Sequence, residues 1–520
     1  MPARTSLISL LCLSLPACGG CGEKDPGDSP RADDSLAPDD SADDSGGTAP
    51  SPLIVLAGGG SEGDLGDTTA WSYVLYGRLL ARGDVNGDGL VQVAVVSTDD
   101  TADDFIPSYF EALGADDAYN VVVSSNRRAQ EPETYDLVVA ADAVFLKGGD
   151  QGVYYDLWNA TRLEDAILEV VAAGGAVGGT SAGAMSQAGY ALAGGTDLIS
   201  ADVLTDPCTD YLVDVTDGTS AVKDNFLSTV PGVMIDTHFT ERGRLGRLVG
   251  AMALAMEDKG LSTLLGIGIE AQTGVVLDDG QAEVIGVGAV HLVRPSAASV
   301  LDRTCETPLL WTDLDLDVLT DGATFTLRDG QVSEITPPPD ADTATSIASG
   351  AANSAGWSVS GDNPRQEERF PAVISRTPND YSTRPGVGSP ILNDALGVLD
   401  AQNADTRGIA QEAMFRTLVD YTGYTGFIVG DTSLITNDES NPDQLSFAGI
   451  PDAPYPEMAT LVVDSGSATW TSVSPYTSAY DNGSDTLHAG GVLGLRLHVL
   501  GDTAGRGVGY DPVQHVVTGP

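Results

Sequence analysis

Ala176-Val177-Gly178-Gly179-Thr180-Ser181-Ala182-Gly183-Ala184-Met185 joins a run of small residues to the start of a helix-like segment. Upstream, a helix-like run from Leu163 to Ala173 stops at Gly174-Gly175, so the order is helix, strand, sharp turn, helix. Within the turn, Gly179-Thr180-Ser181-Ala182-Gly183 fits G-x-S-x-G, the pattern of a nucleophile elbow. The glycines make room: an elbow holds its serine in a strained backbone conformation, and side chains two residues either side would strike the neighbouring strand or helix. The helix that follows brings its N-terminal amides beside the hydroxyl, where negative charge develops in acyl transfer. A glycine-rich loop with an incidental serine satisfies the same five residues, so the surrounding segments have to decide.

Outward from this turn, Pro52 to Gly58 reads as a continuous apolar strand and runs into Gly58-Gly59-Gly60-Ser61. An amphipathic stretch from Trp71 to Leu80, a strand at Val91 to Ser97, a helical segment at Asp104 to Leu113 and a strand at Tyr119 to Val123 follow. A further strand, Ala143 to Leu146, enters Lys147-Gly148-Gly149-Asp150-Gln151. This alternation predicts an α/β fold with a doubly wound, mostly parallel sheet, whose strand C-termini gather the three glycine-rich turns around one crevice. Asp84-Val85-Asn86-Gly87-Asp88-Gly89 opens like a calcium-binding EF-hand loop, but Val95 stands where the bidentate acid belongs, so a turn before a strand is expected.

A second chemical segment is Asp236-Thr237-His238-Phe239-Thr240-Glu241-Arg242-Gly243-Arg244-Leu245-Gly246-Arg247-Leu248. His238 is the only histidine between Ser181 and Val290, which makes it the base for that serine. Arg242, Arg244 and Arg247 crowd into a chain with 25 basic and 75 acidic residues, and guanidinium forks suit carboxylates. A helix start with solvated arginines and a structural histidine is the plainer reading of any one of them.

Phe145 to Gln151, Gly179 to Ala184 and Asp236 to Leu248, in this order, resemble cyanophycinase and its relatives among the peptidase E-like serine peptidases, over roughly Leu53 to Ser296. The resemblance implies a class I glutamine amidotransferase-like fold in which serine replaces the cysteine nucleophile. It implies cleavage of peptide or isopeptide bonds next to aspartate, with a peptide or β-aspartyl polymer as substrate; the chain shows neither a zinc-ligand spacing nor a phosphate-binding P-loop, so no cofactor or metal is expected. Carried onto this chain, Ser181 becomes the nucleophile, His238 the general base, and the amides of Gly149 and Ala182 the oxyanion hole. Gln151, Asp236, Arg242, Arg244 and Arg247 become substrate-binding positions. Thr237 stands where cyanophycinases usually carry Gln. The acid that orients the histidine usually comes second in a pair, where this chain has Ala271 after Glu270; Glu270 and Asp197 are the two candidates.

At the N-terminus, Arg4 precedes the apolar run Leu7 to Leu15, which fits a secretory signal. Leu15-Pro16-Ala17-Cys18 resembles a bacterial lipobox, which implies cleavage before Cys18, lipid on its thiol and an outer-membrane or cell-surface location. Residues 1–17 are then a signal peptide. Residues 18–50, with nine acids between Gly19 and Pro50, are an acidic tether that lacks the apolar surface to fold. The net charge of −50 argues against nucleic acid as a partner. Residues 51–336 form the peptidase-like domain with a β tail, 337–369 a linker, and 370–520 a β-rich C-terminal region with one helix at Ile409 to Leu418. Leu495 to Asp502 echoes Leu314 to Asp321, as expected if that region packs as an extension of the first domain's tail. An exported location permits a Cys208–Cys305 disulfide with Cys21 left over, without fixing the pairing. The chain therefore reads as a surface-anchored serine exopeptidase-like hydrolase; the alternative is a non-catalytic lipoprotein that binds acidic peptides in a degenerate cleft.

Overall fold

The computed structural model describes residues 51–99, 103–194, 198, 200–214, 218–239, 244–286 and 288–336. Beyond them it describes strand segments at 371–375, 426–431, 460–464, 469–470, 491–500, 509–511 and 516–518. Five strands, β1 (Leu53–Ala57), β2 (Gln92–Ser97), β3 (Asp117–Val122), β4 (Ala143–Leu146) and β5 (Ala176–Thr180), pair in parallel in the order β1-β5-β4-β2-β3. Helices α1 (Trp71–Gly77), α2 (Phe105–Leu113), α3 (Asn126–Ala129), α4 (Pro132–Val139), α5 (Gln151–Trp158) and α6 (Arg162–Ala172) fall between them. The amphipathic stretch after Trp71 divides, with a 3₁₀ turn at Arg78–Arg82 continuing α1.

All of β1 is buried, as expected of a strand covered on both faces. Successive side chains point opposite ways, and the core divides accordingly. Leu53, Val55 and Ala57 pack with Tyr76, Phe110 and Phe145 on one side, while Ile54 and Leu56 face Val177, Leu146 and Ala184 on the other. Helix α6 buries Leu163, Ala166, Ile167 and Val170, the one-sided spacing of a surface helix, and the chain then turns at Gly174 with φ +83°.

Beyond β5 lie α7 (Ala182–Met185), the paired strands β6 (Ala191–Leu192) and β7 (Val222–Lys223), and α8 (Ser200–Thr205). Strand β8 (Val233–Thr237), α9 (Leu245–Lys259) and strand β9 (Leu265–Ile269) follow. Strands β10 (Thr273–Asp278), β11 (Gln281–Gly286), β12 (Ala289–Asp302), β13 (Leu310–Thr320), β14 (Thr324–Arg328) and β15 (Gln331–Thr336) then run as antiparallel structure. Four of them, in the order β10-β11-β14-β15, extend the parallel sheet on the β1 side. Strand β8, which leads into His238, does not join that sheet. It pairs in parallel with β9, which continues through β12 to β13 in a second sheet.

In the C-terminal region every described segment is a strand, and the Ile409 to Leu418 helix, Cys18 and the acidic tether lie outside the described residues. One of these strands, 491–500, pairs with β13: Leu314 faces Leu497, and Asp315 faces Arg496 and forms an ion pair with it. The two stretches that echo each other in sequence are therefore neighbours in one sheet. Cys208 and Cys305 form a disulfide with a Cα–Cα distance of 5.1 Å.

Candidate active site

Ser181 follows β5 directly, with φ 52° and ψ −119°, a conformation that costs an L-residue energy and persists only where the surroundings impose it. Its N–H donates to Ala57 O at 2.9 Å, and its carbonyl accepts from Ala184 and Met185 at 3.0 and 3.1 Å, which starts α7. The flanking glycines have the reason anticipated for them. A Cβ on Gly179 would lie 2.5 Å from the backbone carbon of Gly183, and one on Gly183 would run into the carbonyl of Leu146.

His238 comes one residue past the end of β8, also at positive φ (48°), and its N–H donates to Gly58 O at 2.9 Å. Its Nε2 lies 3.0 Å from Ser181 Oγ. Residues 57 distant in sequence and carried by two sheets thus meet at hydrogen-bond distance, held by the β1 C-terminus, whose Ala57 and Gly58 carbonyls bind one each. The third glycine-rich turn is fixed by Tyr154, whose hydroxyl lies 2.9 Å from the carbonyls of both Lys147 and Gly148. Burial holds that phenol far above the ordinary range, so it remains a donor. Among the described residues no group accepts from the Gly149 N–H. Ala182 is the first residue of α7, where an amide has no partner within the helix.

These parts line a cleft of about 630 Å³ that includes Gly59, Glu62, Phe105, Phe145, Lys147, Gly148, Gly149, Ser181 and His238. Residues 93–192, from β2 through the elbow, match the sequence profile of Peptidase family S51. A cyanophycinase of Geminocystis herdmanii is 31% identical over 43% of this chain and 76% of its own length. One of Trichormus variabilis is 30% identical over 42% of this chain and 68% of its own. The chain belongs to the cyanophycinase and peptidase E-like family. Family membership makes it a hydrolase of the peptidase class with a class I glutamine amidotransferase-like fold. Among solved structures, a peptidase from an acI-B1 Actinobacterium aligns with 54% of this chain and 98% of its own, at 18% identity and TM-score 0.36.

The substrate-binding roles that the cyanophycinase resemblance implied for Asp236, Arg244 and Arg247 need correction. All three are buried, at 1%, 7% and 2% exposure, and none lines the cleft. Arg247 holds Asp236 in a two-point fork, Nε to Oδ2 at 2.8 Å and Nη2 to Oδ1. It also donates to Leu198 O at 3.3 Å. Arg244 Nη1 donates to Thr237 O at 2.7 Å, with Asp236 Oδ1 3.5 Å away. These guanidiniums brace the end of β8 beneath His238. Gln151, expected to line the cleft, is instead buried in the first turn of α5 and is not among the lining residues.

Glu270 is also corrected. Its carboxylate accepts from Ala289 N–H at 2.9 Å and pairs with His291 Nε2 at 2.9 Å, so its partner is His291 and not His238. It falls just past β9, and its neighbours come from β12, the strand paired with β9. Asp197 and Arg242 lie outside the described residues. The sequence reading placed the Gly58 to Gly60 turn at the crevice, where Gly59 does line the cleft, but missed Glu62 in the lining and Tyr154 as the support of the Gly148 turn, and used Lys147 only as part of a motif. Lys147 sat in plain view beside the Gly148-Gly149 turn, whereas nothing in the spacing around Glu62 distinguishes it.

Proposed function

We propose that the chain is a surface-anchored serine hydrolase of the exopeptidase type, cleaving peptide or isopeptide bonds next to aspartate through an acyl-enzyme. The observation that carries the reading is the 3.0 Å contact between His238 Nε2 and Ser181 Oγ on a strained elbow. In this reading the imidazole takes the hydroxyl proton as Ser181 Oγ attacks the carbonyl carbon. Negative charge gathers on the carbonyl oxygen, where the amides of Gly149 and Ala182 receive it. His238 then returns the proton to the leaving amine, and a water activated by the same ring releases the acyl group and restores Ser181. The aspartyl preference is taken from the cyanophycinase relatives.

A binding-only lipoprotein has no use for a hydroxyl at hydrogen-bond distance from an imidazole, so this contact favours the enzyme. Anchoring rests on the signal-like run and Cys18. A serine-directed fluorophosphonate should label the wild-type protein and not Ser181→Ala, and a panel of β-aspartyl and α-aspartyl dipeptides should be cleaved by the former alone. Absence of both labelling and cleavage would leave the binding reading in possession. Metabolic incorporation of palmitate, lost in Cys18→Ser, tests the anchor.

A further inference from the structure

Besides Asp103, whose carboxylate accepts from the Phe105 N–H at 2.9 Å, the cleft is lined by two opposite charges that the proton transfer does not use. Lys147 lies two residues before Gly149, and its ammonium makes no ion pair among the described residues, in a chain where acids outnumber bases 75 to 25. Glu62 lines the same cleft and forms no ion pair within 4 Å among the described residues. Each stands on a fixed base. Lys147 N–H donates to Val96 O at 3.0 Å and its carbonyl accepts from Tyr154. The carbonyl of Glu62 accepts from Ser72 Oγ and from Tyr109 Oη, and its carboxylate accepts from the buried Tyr76 hydroxyl at 3.3 Å. A cation and an anion held in one cleft without touching leave space for a dipolar group between them.

We propose that Lys147 and Glu62 form a subsite for the zwitterionic head of a free β-aspartyl terminus, with its α-carboxylate on Lys147 and its α-ammonium on Glu62. The proposal rests on the hydrolase reading and narrows its substrate. In a β-linked aspartyl residue with both α-groups free, the two charges sit on the carbon two bonds from the scissile carbonyl, so both belong close to Ser181. Inside a polymer the same α-groups are tied up in amide bonds and carry no charge. The subsite therefore selects chain ends and dipeptides. The chemistry balances as hydrolysis: the Ser181 Oγ–acyl bond forms as the acyl–nitrogen bond breaks, the leaving amine takes its proton through His238, and water releases aspartate. The buried arginines, engaged with Asp236, leave Lys147 as the one ammonium among the described lining residues.

The test uses three dipeptides: β-aspartyl-leucine, its N-acetyl form and its aspartyl α-amide. With the wild-type protein, either modification should lower kcat/KM by about tenfold or more, the usual scale for a lost charge-assisted contact. Lys147→Met should abolish the amide penalty and keep the acetyl penalty, while Glu62→Gln should do the reverse. Equal losses on all three substrates in either variant would overturn the subsite. A circular dichroism spectrum like that of the wild type establishes that each variant is folded. Should the wild type neither label nor turn over, the hydrolase reading is what fails. Calorimetric binding of the same three dipeptides to Ser181→Ala protein, with and without each subsite substitution, still decides the subsite by the same pattern of penalties.

Discussion

Gly59 stands against the imidazole of His238 so closely that a β-carbon built on it would fall inside the contact distance of Nε2. Its φ of +97° adds a backbone conformation that side chains rarely adopt. Gly59→Ala should therefore push the ring away from Ser181 Oγ. Displacements of about 1 Å cost on the order of a hundredfold in rate, so kcat should fall by about that much, with the circular dichroism spectrum unchanged. A variant that keeps full activity would show that the ring tolerates the intrusion.

The Asp236–Arg247 fork is a buried ion pair, and removing one partner strands the other charge. Arg247→Ala should destabilise the protein by about 3–5 kcal/mol, the scale for breaking such a pair, as read from urea denaturation. Replacing both members together with apolar residues of similar volume should recover part of the loss. If the arginine served substrate instead, the single change would raise KM and leave the unfolding midpoint where it was.

Burial raises the Glu62 carboxyl above its usual value near 4.5, against the opposing pull of its hydrogen bonds and of Lys147. The folded protein therefore keeps a proton on Glu62 through a window in which the unfolded chain has released it. Stability from this group is fully present below that window and is lost as pH rises through the folded pKa. Glu62→Gln should flatten that part of the stability curve, measured as unfolding midpoint against pH from 4 upward. A curve with unchanged slope would remove Glu62 as its cause.

The Cys208–Cys305 bond closes a loop with a sequence separation of 97. Cys208→Ser with Cys305→Ser should cost about 2–5 kcal/mol, and adding reductant to the wild type should reproduce the loss. Ser181 labelling at moderate temperature should survive, because neither cysteine lines the cleft.

How much of this was legible in the chain follows from the range over which each signal acts. The elbow glycines, the apolar β1 strand and the order of the three motifs are local, and they led directly to Ser181 and His238. Arg244 and Arg247 were misjudged because a guanidinium reads the same whether it faces substrate or a buried carboxylate. Its surroundings depend on how α9 packs beneath β8. Glu270 was misjudged for a related reason: its partner is 21 residues away and arrives through the pairing of β9 with β12, which places His291 opposite Gly268. The opposed charges of Lys147 and Glu62 are separated by most of the parallel sheet in sequence, so only the folded chain brings them to one cleft.

The pairing of residues 491–500 with β13 carries a consequence for biosynthesis. Ser181 and His238 are synthesised well before the strand at 491–500, which covers the β13 flank of the second sheet. A product terminated before Gly491 would contain both Ser181 and His238 and still present a bare row of amides and carbonyls along β13, a template on which other molecules could add strands. Quality control would then act on whether the strand at 491–500 has been added.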